Sequence, residues 1–241
     1  MVAYHGAHVV VTGGTGALGT AVVSALRAAG AVCHVTNIVS AELEKYPHRN
    51  DPNVRVTQGV DLADEKAVRR FYEGLPPLWA SIHLAGGFAM SPAAETSAVA
   101  FVDQFQMNAL SSFLCSVAAL RAIRARAEPG PEGAKGGRIV NVAARPGLEP
   151  RLGSGMVAYA TAKAAVAAMT QALAQETSGE EIWVNAVAPS VLDTPANRVA
   201  MPDADYSTWV APSAVAEVIA FLASPDNRVT RGAVIPVYGG A

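Results

Sequence analysis

A short β-branched run, residues 8–12, stops at Gly13-Gly14-Thr15-Gly16-Ala17-Leu18-Gly19 and continues as an alanine-rich segment with helical character to residue 29. Few folds accept a strand that turns through glycines directly into a helix. Glycine lacks a Cβ, so the backbone can turn sharply and let another group approach closely. The helix that follows begins with N–H groups that have no acceptor of their own, which suits an anion. In this context the string reads as the pyrophosphate turn of a dinucleotide site, with Gly13, Thr15, Gly16, Ala17, Leu18 and Gly19 as contacts.

The rest of the chain repeats the alternation. Apolar runs at 31–36, 54–58, 79–85, 138–143, 182–187 and 233–237 read as strands, and 64–72, 98–127, 156–176 and 213–223 read as helices. Most of the strands are apolar on both faces, as strands covered on two sides must be. The expectation is an α/β fold: a doubly wound parallel sheet of about seven strands, Rossmann-type, in one domain over 1–241. Two stretches break the rhythm. Residues 128–137 (EPGPEGAKGG) are rich in Gly and Pro and read as an exposed loop. Residues 190–212 form a long polar and aromatic segment after a strand, the usual place for a substrate lid.

Composition narrows the partners. The 241 residues carry a formal net charge of −2, and no run of Lys or Arg occurs. This removes the electrostatic footprint for nucleic acid or an anionic membrane surface and leaves a small molecule as the expected partner. The apolar stretch 109–120 is far shorter than the ~20 residues that span a bilayer. Cys33 and Cys115 sit in apolar segments without a CxxC pair, and the N-terminus lacks a signal-peptide pattern, so a cytoplasmic location is expected. The five histidines show no ligand spacing, and no metal is expected.

Tyr159 and Lys163 stand four residues apart in the longest helical segment, so they project from one face. A phenol with a pKa near 10 is a poor acid at neutral pH unless something stabilises its anion. A neighbouring ammonium does this, and the positive charge of an oxidised nicotinamide adds to it. Alone the pair means little; in a helix after the fifth strand of a glycine-turn domain it becomes the catalytic candidate. At the end of the second strand stands Asn37, with no Arg or Lys beside it. Asn can bond either cofactor form, so NAD(H) and NADP(H) both stay open.

These motifs resemble the short-chain dehydrogenase/reductase family over nearly the whole chain. Thr12 to Gly19 is similar to its TGxxxGxG turn, with Ala17 at a motif glycine. Asp61 and Leu62 match its adenine-side position, and Leu84-Ala85-Gly86-Gly87 its fourth-strand element. Asn108 matches the tetrad asparagine, and Asn185 to Pro189, with Val191 and Thr194, the segment that holds the nicotinamide. The resemblance implies Tyr159, Lys163 and Asn108 as catalytic residues. It implies Asn37, Asp61, Leu62, Ala85, Gly86, Lys163, Pro189, Val191 and Thr194 as further cofactor contacts, and a homodimer or homotetramer as the assembly.

One family element is missing. Ala144 occupies the place of the serine that steadies a substrate carbonyl, and a methyl group cannot donate a hydrogen bond. Ser154 is the nearest possible substitute in sequence. With residues 85–89, 155–163, 192–198 and 201–209, the lost serine resembles the quinonoid dihydropteridine reductase branch. That branch implies reduction of a conjugated C=N or pteridine-like ring, although Phe88 replaces a tryptophan expected there; Phe88, Arg145 and Trp209 are the candidate substrate contacts. Two alternatives stay open: a carbonyl reductase or alcohol dehydrogenase of a small ketone, and a nucleotide-sensing module without turnover.

Overall fold

The computed structural model describes residues 4–240. Seven strands form one parallel sheet: β1 His8–Thr12, β2 Val32–Asn37, β3 Val54–Gln58, β4 Leu78–His83, β5 Gly137–Val142, β6 Ile182–Pro189 and β7 Val234–Val237. Their order across the sheet is β3-β2-β1-β4-β5-β6-β7, with every pairing parallel. The chain winds outward from β1 in one direction and from β4 in the other. The order therefore reverses between β1 and β4, which opens a crevice at the carboxyl ends of the strands.

Two-sided burial explains why the strands read as continuous apolar runs. Val9 and Val11 of β1 face a core built with α1 (Ala17–Ala28) and α9 (Pro212–Leu222). Val10 faces the opposite core, built with α3 (Glu65–Glu73), α5 (Ser111–Arg124) and α7 (Val157–Glu176). All six residues of β4 are buried, whereas the edge strand β3 exposes three of its five. Trp79 is fully enclosed, donates through Nε1 to the Ala223 carbonyl (2.9 Å), and lies under the Arg126 and Arg138 guanidinium groups. Trp183 is less buried than expected of a core residue and stacks on Arg138, 4.5 Å from ring centroid to guanidinium carbon.

Three expectations change. The helix read over 98–127 is α4 (Ala98–Phe105), a π-helical turn at Gln106–Leu110 and then α5. The segment 128–137 is exposed at Glu128, Pro129, Glu132, Gly133 and Lys135, as expected of a loop, but it is anchored: Pro131 is buried, Gly130 packs on Trp79, and Arg126 donates to the Leu78 and Gly136 carbonyls. Those bonds satisfy backbone that the Gly/Pro composition left without obvious partners. Finally, a helix of five residues, α2 (Ser40–Glu44), follows β2 where sequence periodicity gave no element. Short helices α6 (Arg145–Leu148) and α8 (Pro195–Ala200) follow β5 and β6.

Candidate functional site

The crevice at the switch point is a cleft of about 860 Å³. Gly13, Thr15, Gly16, Ala17, Leu18 and Gly19 border it, as do Asn37, Asp61, Leu62, Ala85, Gly86 and Thr194. These are about half of its lining; the rest, such as Ile38, Val39, Asp103 and Gln106, was not expected from the sequence. Pro189, Val191 and Lys163 do not border it: Pro189 is buried where β6 pairs with β7, the Val191 carbonyl accepts from Val210 N–H (3.0 Å), and Lys163 is buried behind Gly86. Leu192 and Asn197 take the place of the first two.

The glycine turn is held by contact as much as by conformation. Gly13 has φ +64°, and a Cβ there would lie 2.9 Å from the Ala85 Cα. A Cβ on Gly19 would collide with the Gly13 carbonyl oxygen, so α1 leaves the turn at the closest approach that backbone permits. Gly16 differs, since the nearest atom to an added Cβ is the Gly13 oxygen at 3.5 Å. Its open side faces the cleft. As N-cap it has no side chain to accept from the first N–H groups of α1, which stay available to an anion. Ala17, at the motif glycine position, is exposed and does not crowd the turn. These residues fit a dinucleotide pyrophosphate.

Beyond the turn, Gly86 brings two side chains together. A Cβ there would sit 2.5 Å from Asn108 Oδ1 and 3.5 Å from Lys163 Nζ. Asn108, on the π-helical turn, donates through Nδ2 to the carbonyls of Gly87 (2.9 Å) and Gln104 (3.0 Å), which pins the loop after β4. Lys163 donates to the Val142 carbonyl (2.9 Å), and its Nζ lies 5.9 Å from the Tyr159 ring centroid. Burial pushes the Tyr159 phenol up to about 12 and the Lys163 ammonium down to about 8. The sequence-based expectation of a phenol pulled down by its lysine is therefore not met in the free protein. Desolvation of both groups outweighs their attraction.

The substrate side is mixed. Phe88, 58% exposed, meets Tyr159 edge to face with centroids 4.9 Å apart. Ala144 is buried at the end of β5, whereas Ser154 is exposed in a turn. Arg145 is engaged elsewhere: it pairs with Glu149 (3.2 Å) and stacks over Tyr238 (4.6 Å). Trp209 packs against Tyr206 (4.7 Å), whose hydroxyl donates to the Pro202 carbonyl (2.9 Å). His83 is a core residue. It bonds Asn141 Oδ1 (2.8 Å) and Ser81 Oγ (2.9 Å), and burial lowers it to about 4, so it is neutral.

Among the described residues no group of three or more His, Cys, Asp or Glu could hold a metal, and no helix is long and apolar enough to cross a membrane. Cys33 and Cys115 are buried free thiols. Glu42 of α2 borders the cleft and was not anticipated, because a helix this short leaves no periodic signal.

Residues 7–205 match the short chain dehydrogenase family. The chain is 32% identical to galactitol 2-dehydrogenase of Rhizobium johnstonii, over 98% of this chain and 95% of that one. It is 29% identical to L-xylulose reductase of Bos taurus, over 98% and 96%. Among solved structures, a short chain dehydrogenase/reductase family protein superposes with a TM-score of 0.86 at 24% identity, covering 98% of this chain and 97% of that one. A short-chain type dehydrogenase/reductase from Mycobacterium ulcerans gives 0.85 at 21%, covering 99% and 90%. The last two support the fold. Together with the glycine turn and the cleft, the family match makes this protein an NAD(P)-dependent oxidoreductase. The chain belongs to the short-chain dehydrogenase/reductase family.

Proposed function

We propose that this enzyme reduces a flat, conjugated C=N substrate of the dihydropterin kind, with Tyr159 as the proton donor. A bound NAD(P)H supplies the hydride. Tyr159, uncharged at neutral pH, gives a proton to the ring nitrogen that gains electron density. Lys163 holds positive charge beside the phenol as the proton leaves, and Asn108 fixes the loop against which both are placed. The observation that carries this reading is Ala144. A substrate whose accepted electrons spread over a conjugated ring needs no hydroxyl to grip one carbonyl oxygen, and the methyl group offers none. Phe88 beside Tyr159 supplies an aromatic surface for such a ring.

The segment 190–212 acts as the lid. It is tied at its base by the Leu192–Val210 bridge and by the Asp193 N–H to Val210 carbonyl bond (2.9 Å), with α8 and the Tyr206–Trp209 pair between. The enzyme works as a homo-oligomer joined through the face that exposes Val99, Val102, Phe105 and Phe113.

The names of the two curated relatives favour a second reading, reduction of a sugar or polyol carbonyl. Nicotinamide oxidation followed with a quinoid dihydropterin and with a panel of ketones and ketoses separates the two. Tyr159→Phe is expected to lower kcat/KM for the true substrate by about 10²–10⁴-fold. Ala144→Ser is expected to raise ketone turnover from a low base. Ketose reduction by the parent protein above its dihydropterin rate would favour the second reading, and an unchanged rate in Tyr159→Phe would remove the proton-donor assignment from both.

A further inference from the structure

At the end of β2 the cleft carries a polar chain that the sequence alone leaves undecided. Asn37 is buried and donates through Nδ2 to Thr15 Oγ1 (2.8 Å) and to the Val39 carbonyl (3.0 Å). Thr15 Oγ1 in turn donates to Glu42 Oε2 (2.6 Å). The second carboxylate oxygen, Oε1, is 4.0 Å from the position a Cβ on Gly16 would take, so it stands next to the open side of the glycine turn. The Asn37 Nδ2 is thereby occupied by the protein's own oxygens, and Glu42 presents a charged acceptor in this corner. The other charged residues bordering the cleft are Asp61 and Asp103, and no Lys or Arg borders it.

Resting on the reading of this cleft as a dinucleotide site, we propose that Glu42 selects NAD(H) over NADP(H). The two cofactors differ at one sugar oxygen, a hydroxyl in the first and a phosphate ester in the second. A carboxylate accepts a hydrogen bond from a hydroxyl and repels a phosphate dianion, and the charged side chains that border the cleft are all acidic, so no cation among them offsets that repulsion. Exposed Ile38 and Val39 flank this corner with apolar side chains that offer a phosphate no charge. A purely structural role, in which Glu42 only orients Thr15, would change the affinity for both nucleotides alike. A selective role changes their ratio.

The test titrates the full-length protein with NADH and NADPH by intrinsic fluorescence, and with AMP and adenosine 2′,5′-bisphosphate by calorimetry. Neither measurement needs the substrate. The wild type is expected to bind NADH at least about tenfold more tightly than NADPH. Glu42→Gln keeps the shape and the bond to Thr15 while removing the charge. It should shrink that ratio by about tenfold through tighter NADPH binding, and Glu42→Arg should invert it. Equal binding of the two nucleotides by the wild type, or a ratio unmoved in Glu42→Gln, overturns the assignment. Binding of neither nucleotide would overturn it together with the dinucleotide reading. Selective binding without turnover of any substrate would support it and count against the reduction chemistry alone.

Discussion

Tyr159 and Lys163 share a helix face but not a common shift. Burial raises the phenol to about 12 and lowers the ammonium to about 8, against an ordinary lysine value near 10.4. The sign of the pH dependence follows from the lysine. Its charge is present below about pH 8 and is lost as pH rises through that value, while the phenol keeps its proton throughout the range. The kcat/KM for reduction should be level below pH 8 and fall about tenfold per unit above it. A pH–rate profile with the inflection near 8 is the expected result, and a level profile to pH 10 would show that the Lys163 charge is not needed. The pair was legible from its four-residue spacing together with the glycine turn upstream, and the lost serine from Ala144 set against the family pattern. The upward shift of the phenol was not, because it comes from neighbours distant in sequence. Glu42 was hidden for a similar reason: only the fold carries α2 back to Thr15.

At the scale of elements, the glycine turn separates two jobs that its sequence merges. Gly19 has to be glycine because α1 and the turn touch backbone to backbone, whereas Gly16 faces the open cleft. Gly19→Ala should therefore destabilise the fold by about 1–3 kcal/mol as well as abolish nucleotide binding. Gly16→Ala has an ordinary φ of −69° and should leave stability within about 1 kcal/mol while weakening NADH binding at least tenfold. Urea unfolding and fluorescence titration of both variants check this, and equal loss of stability in the two would contradict it. The major strands and helices were readable because two-sided burial and helical period leave strong patterns in β1, β4, α1 and α7. The π-helical turn at Gln106–Leu110 was not, since one inserted residue hardly alters the spacing of apolar positions across 98–127. Residues 128–137 misled for another reason: their order depends on Arg126 and Trp79, partners from outside the segment.

For the whole molecule, the strand order matters more than any single motif. Winding outward from β1 and from β4 places the glycine turn, the end of β2 and the loops after β4 and β6 around one crevice. The buried network joining His83, Ser81, Asn141, Ser112 and Thr170 ties β4 and β5 to α5 and α7; Lys163 lies in α7, and Asn108 on the π-helical turn that leads into α5. A fully bonded polar core of this kind holds one arrangement rather than several. On the proposed reading, that frame lets a dinucleotide present its nicotinamide to Tyr159. A crystal structure of the protein with NADH tests this most directly. The pyrophosphate is expected against the N–H groups at the start of α1, with the nicotinamide facing the Tyr159 hydroxyl and Lys163 within reach of the adjoining ribose. A nucleotide bound outside the crevice, or a nicotinamide turned away from Tyr159, would contradict it.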